Sequence, residues 1–337
     1  MKTILFLLIS FLCSLGVYSQ PGSLDASFDP GTGTNNNVFD IALQQDQKII
    51  VAGSYTTFDG FANPYLNRLH PDGNLDFSFV VGSGLDGHVK VLCVQPDDKI
   101  IIAGGFQHYN GTTRNGLLRL NADGTLDFSF NTGLGANGQI KALAVQSDGK
   151  VIVGGYFTSF NGSSQKCIVR LTANGTVDPT FVTGNGFNGE VSSILIQPDG
   201  KILVGGPFSS YQTTSGVYRI IRLNSDGTID NGFSSQSSYS GYPRSMALQP
   251  DGKILFAGIS SGSTPLFGRL NPNGTYDFSF QLQYMSGYLS SVVVQGDGRI
   301  VAGGEIAYMP NNDVSYNLVR FNTDGTFDLN FDVGVGQ

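Results

Sequence analysis

The chain of 337 residues has no tryptophan, three histidines, three cysteines and only two glutamates, Glu190 and Glu305. Each shortage closes off a class of function. So few cysteines build neither a disulfide framework nor a metal cluster. Cys93 and Cys167 fall at unrelated places in the chain and read as small buried apolar side chains, with a single disulfide between them as the alternative. His70 sits in a tight-turn segment, and no third ligand at metal spacing accompanies His88 and His108, so no metal or cofactor is expected. There is no run of Lys and Arg, and the net charge is −7, which argues against nucleic acid and anionic membrane surfaces as partners. Helix-period apolar patterning is scarce, and no phosphate-cradling glycine loop or nucleophile elbow occurs.

Beyond the first residues no apolar run approaches the length of a bilayer span. The exception lies at the start. Lys2 precedes an apolar stretch from Ile4 to Leu15, and Val17 and Ser19 are small enough for the −3 and −1 positions of a signal peptidase site. Residues 1–19 therefore read as a signal peptide and 20–337 as a secreted or cell-surface chain with no transmembrane segment after cleavage. Cys13 does not suggest lipidation, because Ser10-Phe11-Leu12 lacks the small residues expected before a lipidated cysteine.

What the chain has in abundance is glycine, 46 residues, and repetition. A box of the type Gln-Pro-Asp-Gly-Lys-Ile-Leu-Val-Gly-Gly begins at Gln44, Gln95, Gln146, Gln197, Gln249 and Gln295. A second box, Arg-Leu-Asn-x-Asp-Gly-Thr-x-Asp-x-x-Phe, begins at Arg68, Arg119, Arg170, Arg222, Arg269 and Arg320. Its tail also stands alone at residues 22–28. Each unit divides into four strand-like runs separated by turns, many of them Asp-Gly, where glycine takes positive φ without a Cβ penalty. Four short antiparallel strands recurring at a fixed period point to an all-β β-propeller. The expectation is one domain of six blades, with units starting near 38, 89, 140, 191, 243 and 289. The orphan outer-strand box duplicates the one at Phe327–Phe331, so one of the two is redundant in a six-bladed ring. If the N-terminal copy closes the last blade, Asp25 should meet Arg320.

The paired segments Leu-Asn-Ala-Asp-Gly-Thr-Leu-Asp-Phe-Ser-Phe (120–130) and Val-Gln-Ser-Asp-Gly-Lys-Val-Ile-Val-Gly-Gly (145–155) resemble the delta-60 repeat family. That resemblance implies a secreted bacterial β-propeller and no particular activity.

A role needed in every blade is structural, whereas one active site needs each role once. Arg68/Asp76, Arg119/Asp127, Arg170/Asp178, Arg222/Asp230, Arg269/Asp277 and Arg320/Asp328 therefore read as pairs across a hairpin. The repeated Asp-Gly turns lack the ligand spacing of a calcium loop. Binding residues are expected on the face carrying the second-to-third loops (55–64, 107–115, 158–166, 209–217, 259–265 and 305–316) and the blade-to-blade connections. Tyr239, Tyr242, Tyr284, Tyr288, Tyr308 and Tyr316 cluster in the later units, offering flat apolar area with a polar tip that suits a sugar ring or a protein partner. Phe106, Phe157 and Phe208 recur at one phase and read as core. Glu190 and Glu305 are the weak catalytic candidates, since two carboxylates at suitable separation hydrolyse glycosidic bonds. The favoured expectation is a non-enzymatic binding propeller for a polysaccharide or surface protein. A carbohydrate-active hydrolase or lyase and a fragment of a larger surface-anchored repeat protein are the alternatives.

Overall fold

The computed structural model describes residues 22–23, 25–234, 241–260, 266–281, 285–308 and 315–331. Residues 1–19, read from the sequence as a signal peptide, and Tyr239 and Tyr284 lie outside the described residues. Every regular element described is a β-strand, and the strands form six antiparallel three-stranded sheets, one per sequence unit, and three two-stranded hairpins. The inner strands are Val38–Leu43, Val89–Val94, Gln139–Val145, Ser193–Ile196, Gly241–Leu248 and Met285–Val294. The middle strands are Ile49–Gly53, Ile100–Gly104, Val151–Tyr156, Ile202–Gly205, Ile254–Ser260 and Ile300–Tyr308. Leu66–Leu69, Leu117–Leu120, Ile168–Leu171, Ile220–Leu223, Leu266–Leu270 and Ser315–Phe321 are the third strands.

The fourth run of each unit makes a single bridge, such as Leu120↔Leu126, and then turns away. The local cause is the repeated Asp. In the second unit Asp127 Oδ1 accepts the Ser129 backbone N–H (2.9 Å) and hydroxyl (2.6 Å), which folds the chain into a turn where a ladder would otherwise continue.

Middle strands are buried on both faces, which is why they read as continuous apolar runs: Ile100, Ile101 and Ile102 have no exposed surface. Each face meets a different neighbour. One cluster joins Ile50 and Leu66 of blade 1 to Leu92 and Leu118 of blade 2. The same arrangement recurs between blades 2 and 3, 3 and 4, 4 and 5, and 5 and 6. A fully buried aliphatic or aromatic side chain contributes about 1.5–3 kcal/mol, so these five interfaces carry most of the stabilisation.

The Gln, Arg and Asp of the two boxes form one network in each of blades 1–5, while in blade 6 Gln295 is exposed and the Arg–Asp pair stands without it among the described residues. Arg119 Nε donates to Asp127 (2.8 Å), and its Nη1 reaches Gln95 Oε1 (3.3 Å) and the Ala173 carbonyl of the next blade (2.8 Å). The guanidinium also lies over Phe130, 4.7 Å from the ring centroid. The other five pairs, Arg68–Asp76, Arg170–Asp178, Arg222–Asp230, Arg269–Asp277 and Arg320–Asp328, lie at 2.7–2.9 Å. A guanidinium carries five N–H donors, so a single side chain clamps its own hairpin and the following blade.

Blades 1 and 6 differ from the rest. The row of β-residues on blade 1 that faces away from blade 2 is open, with Ile41 62% and Leu43 60% exposed, and on blade 6 Val293 is 53% exposed. The C-terminal box occupies blade 6, with Phe321↔Phe327 bridged and Arg320 Nε bonded to Asp328 at 2.9 Å. The N-terminal copy instead docks on blade 1. Asp29 N–H donates to the Asp72 carbonyl (2.7 Å), just as Val80 does to Asp123 in the next blade. Asp25 bonds to Ser27 and not to Arg320, which corrects the ring-closing pair considered from the sequence.

Candidate functional site

The six inner strands surround a cavity of about 620 Å³. Its lining comes chiefly from two phases of the repeat. Five residues before the box Gln stand Phe39, Lys90, Lys141, Ser192, Arg244 and Ser290, and all six line the cavity. Seven residues before it stand Asn37, His88, Gln139, Glu190, Tyr242 and Tyr288, of which His88, Gln139, Glu190 and Tyr242 line it.

A β-bulge delivers the first of these rings. In blade 2 Val89 pairs with Gly104 and Val91 with Ala103, so Lys90 has no partner in the ladder. The register skips Phe39, Lys141, Arg244 and Ser290 in the same way. A bulge places two residues against one and re-aims the extra side chain, here into the cavity. The second glycine of the Gly-Gly box makes room for it. A Cβ at Gly104 would sit 2.0 Å from the His88 carbonyl oxygen. A Cβ at Gly53, Gly155, Gly206, Gly258 or Gly304 would likewise lie 2.1–2.2 Å from the carbonyl oxygen of Asn37, Gln139, Glu190, Tyr242 or Tyr288. The glycine is therefore constant because the backbone of the channel strand lies against it, while the channel side chains themselves are free to vary.

Charges converge here. Lys141 Nζ pairs with Glu190 at 2.7 Å. Lys90 Nζ stands over the Phe39 ring, 3.9 Å from its centroid. Burial, with Arg244 and Lys141 adding repulsion, lowers the Lys90 pKa from its ordinary value. Asp40 is half-buried beside this ring, and desolvation raises its carboxyl to about 6 despite hydrogen bonds from the backbone N–H groups of Leu92 (2.8 Å) and Ile41 (2.9 Å).

The residues singled out from sequence are only partly gathered. Glu190 and Tyr242 line the cavity. Glu305 is exposed and stands opposite Tyr288 on the blade 6 sheet, outside the lining, so the two glutamates do not form a pair in the channel. Tyr288 is 43% exposed beside the rim. Tyr308 and Tyr316 belong to the middle and third strands of blade 6, and their side chains lie outside the described residues.

The second-to-third loops of blades 1–4 are more regular than their sequences suggest. In blades 2–4 each holds a two-residue hairpin, such as His108–Tyr109 with Thr112–Thr113. A connection residue clamps each loop: Asn35, Asp86, Asn137 and Asn188 accept backbone N–H bonds from the loop of their own blade. Their tyrosines and phenylalanines, Tyr55, Tyr109, Phe160 and Tyr211, are fully buried. Phe106, Phe157 and Phe208 are buried as well. His108 Nδ1 lies 2.7 Å from Asp86, and no cluster of metal-ligating side chains occurs among the described residues. Cys93 and Cys167 are free thiols.

Residues 44–79, 95–130, 146–181, 197–233, 249–280 and 295–331 match the family described as "Domain of unknown function (DUF5122) beta-propeller". The chain belongs to this family of β-propeller repeat proteins. No curated protein matches it. Among solved structures it is similar to virginiamycin B lyase from Staphylococcus aureus, with 12% identity, 86% of each chain covered and a TM-score of 0.54. It is also similar to a protein of unknown function from Bacteroides caccae, at 14% identity, 83% and 92% coverage and a TM-score of 0.48. A gluconolactonase from Xanthomonas campestris shares 14% identity over 68% of this chain and 71% of its own, with a TM-score of 0.42. At these identities the likeness is one of fold.

Proposed function

We propose that residues 20–337 form a secreted or cell-surface propeller that binds its ligand, without turnover, in the central channel. One observation carries the reading. The repeats hold their scaffold residues constant and diverge at the two phases that a bulge and its glycine aim into the cavity. A scaffold gains nothing from placing Phe, Lys, Lys, Ser, Arg and Ser at one equivalent position, whereas an asymmetric ligand needs a different contact from each blade. The volume falls within the range of ligand pockets, and Tyr242 with several serines supplies the mix of flat apolar and hydroxyl surface that recognises sugars.

A hydrolase or lyase is the second reading, carried by Glu190 in the cavity. Its weakness is chemical: Glu190 is engaged by the Lys141 ammonium, and the other glutamate stands elsewhere. Glycoside hydrolysis needs a second acid across the bond, a part that Asp40, facing backbone donors, is badly placed to play.

The test is a screen of the purified secreted chain against bacterial, plant and animal polysaccharides. Binding is read by thermal shift and cleavage by new reducing ends or unsaturated products. Binding without cleavage, abolished by Ser290→Trp in the channel, supports the reading. Cleavage that Glu190→Gln removes overturns it.

A further inference from the structure

We infer that the channel is built for an acidic saccharide, with the sugar carboxylate held between Lys90 and Arg244. The inference rests on the channel being the binding site and names the chemistry of what it takes.

The argument begins with the sign of the charge. The chain carries −7 overall, yet the bulge position is basic in blades 2, 3 and 5, as Lys90, Lys141 and Arg244. These cations act on one another: Arg244 and Lys141 both contribute to the depressed pKa of Lys90. Like charges crowded into a cavity destabilise the free protein and are relieved by an anion. The carboxylates present do not relieve all three. Glu190 is committed to Lys141 at 2.7 Å. Asp40 attracts Lys90 from beyond ion-pair distance, but its oxygens accept from the backbone N–H groups of Leu92 and Ile41 and it does not outweigh the repulsion from Arg244 and Lys141. Among the described residues neither Lys90 nor Arg244 has a carboxylate within ion-pair distance, and both side chains are exposed to the cavity. The Phe39 ring holds the Lys90 ammonium in place without neutralising it. Lys90, held over Phe39, and Arg244, which lines the same cavity, offer charge-assisted donors to one carboxylate.

The remaining lining decides what bears the carboxylate. Tyr242, Gln139 and Ser291 present hydroxyl and amide groups, which donate and accept toward sugar hydroxyls, while Tyr242 also supplies a ring face. The cavity of about 620 Å³ has room for more than a lone inorganic anion.

The experiment uses the purified secreted chain and titration calorimetry with a panel of uronate-containing and sialylated oligosaccharides. Each is compared with its carboxyl-reduced neutral counterpart and with sodium acetate. The expected result is binding of at least one acidic saccharide, weakened about tenfold or more by carboxyl reduction, by Lys90→Gln and by Arg244→Gln. Affinity should also fall as salt rises, while acetate binds far more weakly. Glu305→Gln, at an exposed position outside the cavity lining, should bind within about threefold of wild type. Unchanged melting temperatures for Lys90→Gln and Arg244→Gln establish that the fold is intact. Neutral counterparts binding as well as the acids, or no acidic saccharide binding at all, overturns the inference. In the first case, loss of binding in Ser290→Trp leaves the channel reading standing. Binding that is insensitive to Ser290→Trp as well removes the channel reading itself.

Discussion

The two ends of one inner strand are under opposite constraints. At its C-terminal end stands the box Gln, buried in blades 1, 2, 4 and 5, accepting from an arginine that reaches into the following blade. Five residues earlier a bulged position carries Phe39, Lys90, Lys141, Ser192, Arg244 or Ser290 and faces the cavity. The two ends are about 16 Å apart at the usual strand rise. One end belongs to a network whose members depend on each other. The other rests on backbone and a glycine, so its side chain can change without cost to the blade. The lesson is that a repeat protein can hold its shape and its specificity on the same strand, provided the specifying residue is displaced from the ladder.

The comparison is broken most severely at the buried end. Arg119→Ala leaves the buried Gln95 without this donor, leaves Asp127 to Lys99 and Ser129 alone and frees the Ala173 carbonyl, and should cost about 3 kcal/mol in denaturant unfolding. Arg320→Ala should cost less, because no carbonyl of a following blade accepts from Arg320 among the described residues. Equal losses would mean that the interblade bond contributes nothing.

Gly104→Ala attacks the junction of the two ends. Its methyl would meet the His88 carbonyl at 2.0 Å, so the bulge must shift. A loss of about 1–3 kcal/mol is expected, together with weaker ligand binding through displaced Lys90. Retained stability and binding would show that the glycine is not what admits the bulge.

The two ends also respond oppositely to acid. Hydrogen bonds and the Arg and Lys partners outweigh burial and hold Asp76, Asp127, Asp178 and Asp277 well below the usual carboxylate range, and Asp230 at about 2. A lowered folded-state pKa contributes stability above about pH 4 that is lost as pH falls toward the folded value, so unfolding should set in below pH 4. Asp40 has a raised pKa of about 6. The folded state binds that proton more tightly than the unfolded chain, so stability should rise by about 1 kcal/mol between pH 7 and pH 5. Asp40→Asn should abolish this rise and leave the acid limb below pH 4 in place. The smallest effect is expected at the channel: Ser192→Ala and Lys90→Gln should each change stability by no more than about 0.5 kcal/mol.

Much of this was readable from residues. The box spacing gave six blades, and an arginine eight residues before an aspartate, across a tight turn, indicated a cross-hairpin pair because only neighbouring strands bring such residues together. The channel was harder. The −7 and −5 phases fit no motif, and the later tyrosines drew attention to loops, of which those in blades 2–4 turn out to be clamped hairpins. The signal available was a mismatch: Lys90, Lys141 and Arg244 occupy one phase of otherwise apolar inner strands. A bulge explains it: Val89 and Leu92 pack on one side of the strand and Val91 and Cys93 on the other, so the alternation slips by one residue at Lys90, and where it slips is set by the glycine opposite and by tertiary pairing. Where the orphan N-terminal box docks depends on a contact between distant segments, Asp29 to Asp72, which no local pattern announces.

The most direct test of the central claim is backbone hydrogen exchange followed by mass spectrometry, with and without a saccharide found to bind. The account predicts protection in the segments 37–41, 88–92, 139–143, 190–194, 242–246 and 288–292, where each inner strand enters the channel. Protection confined to the clamped loops at 107–115, 158–166 and 209–217, with those strand ends unchanged, would contradict it.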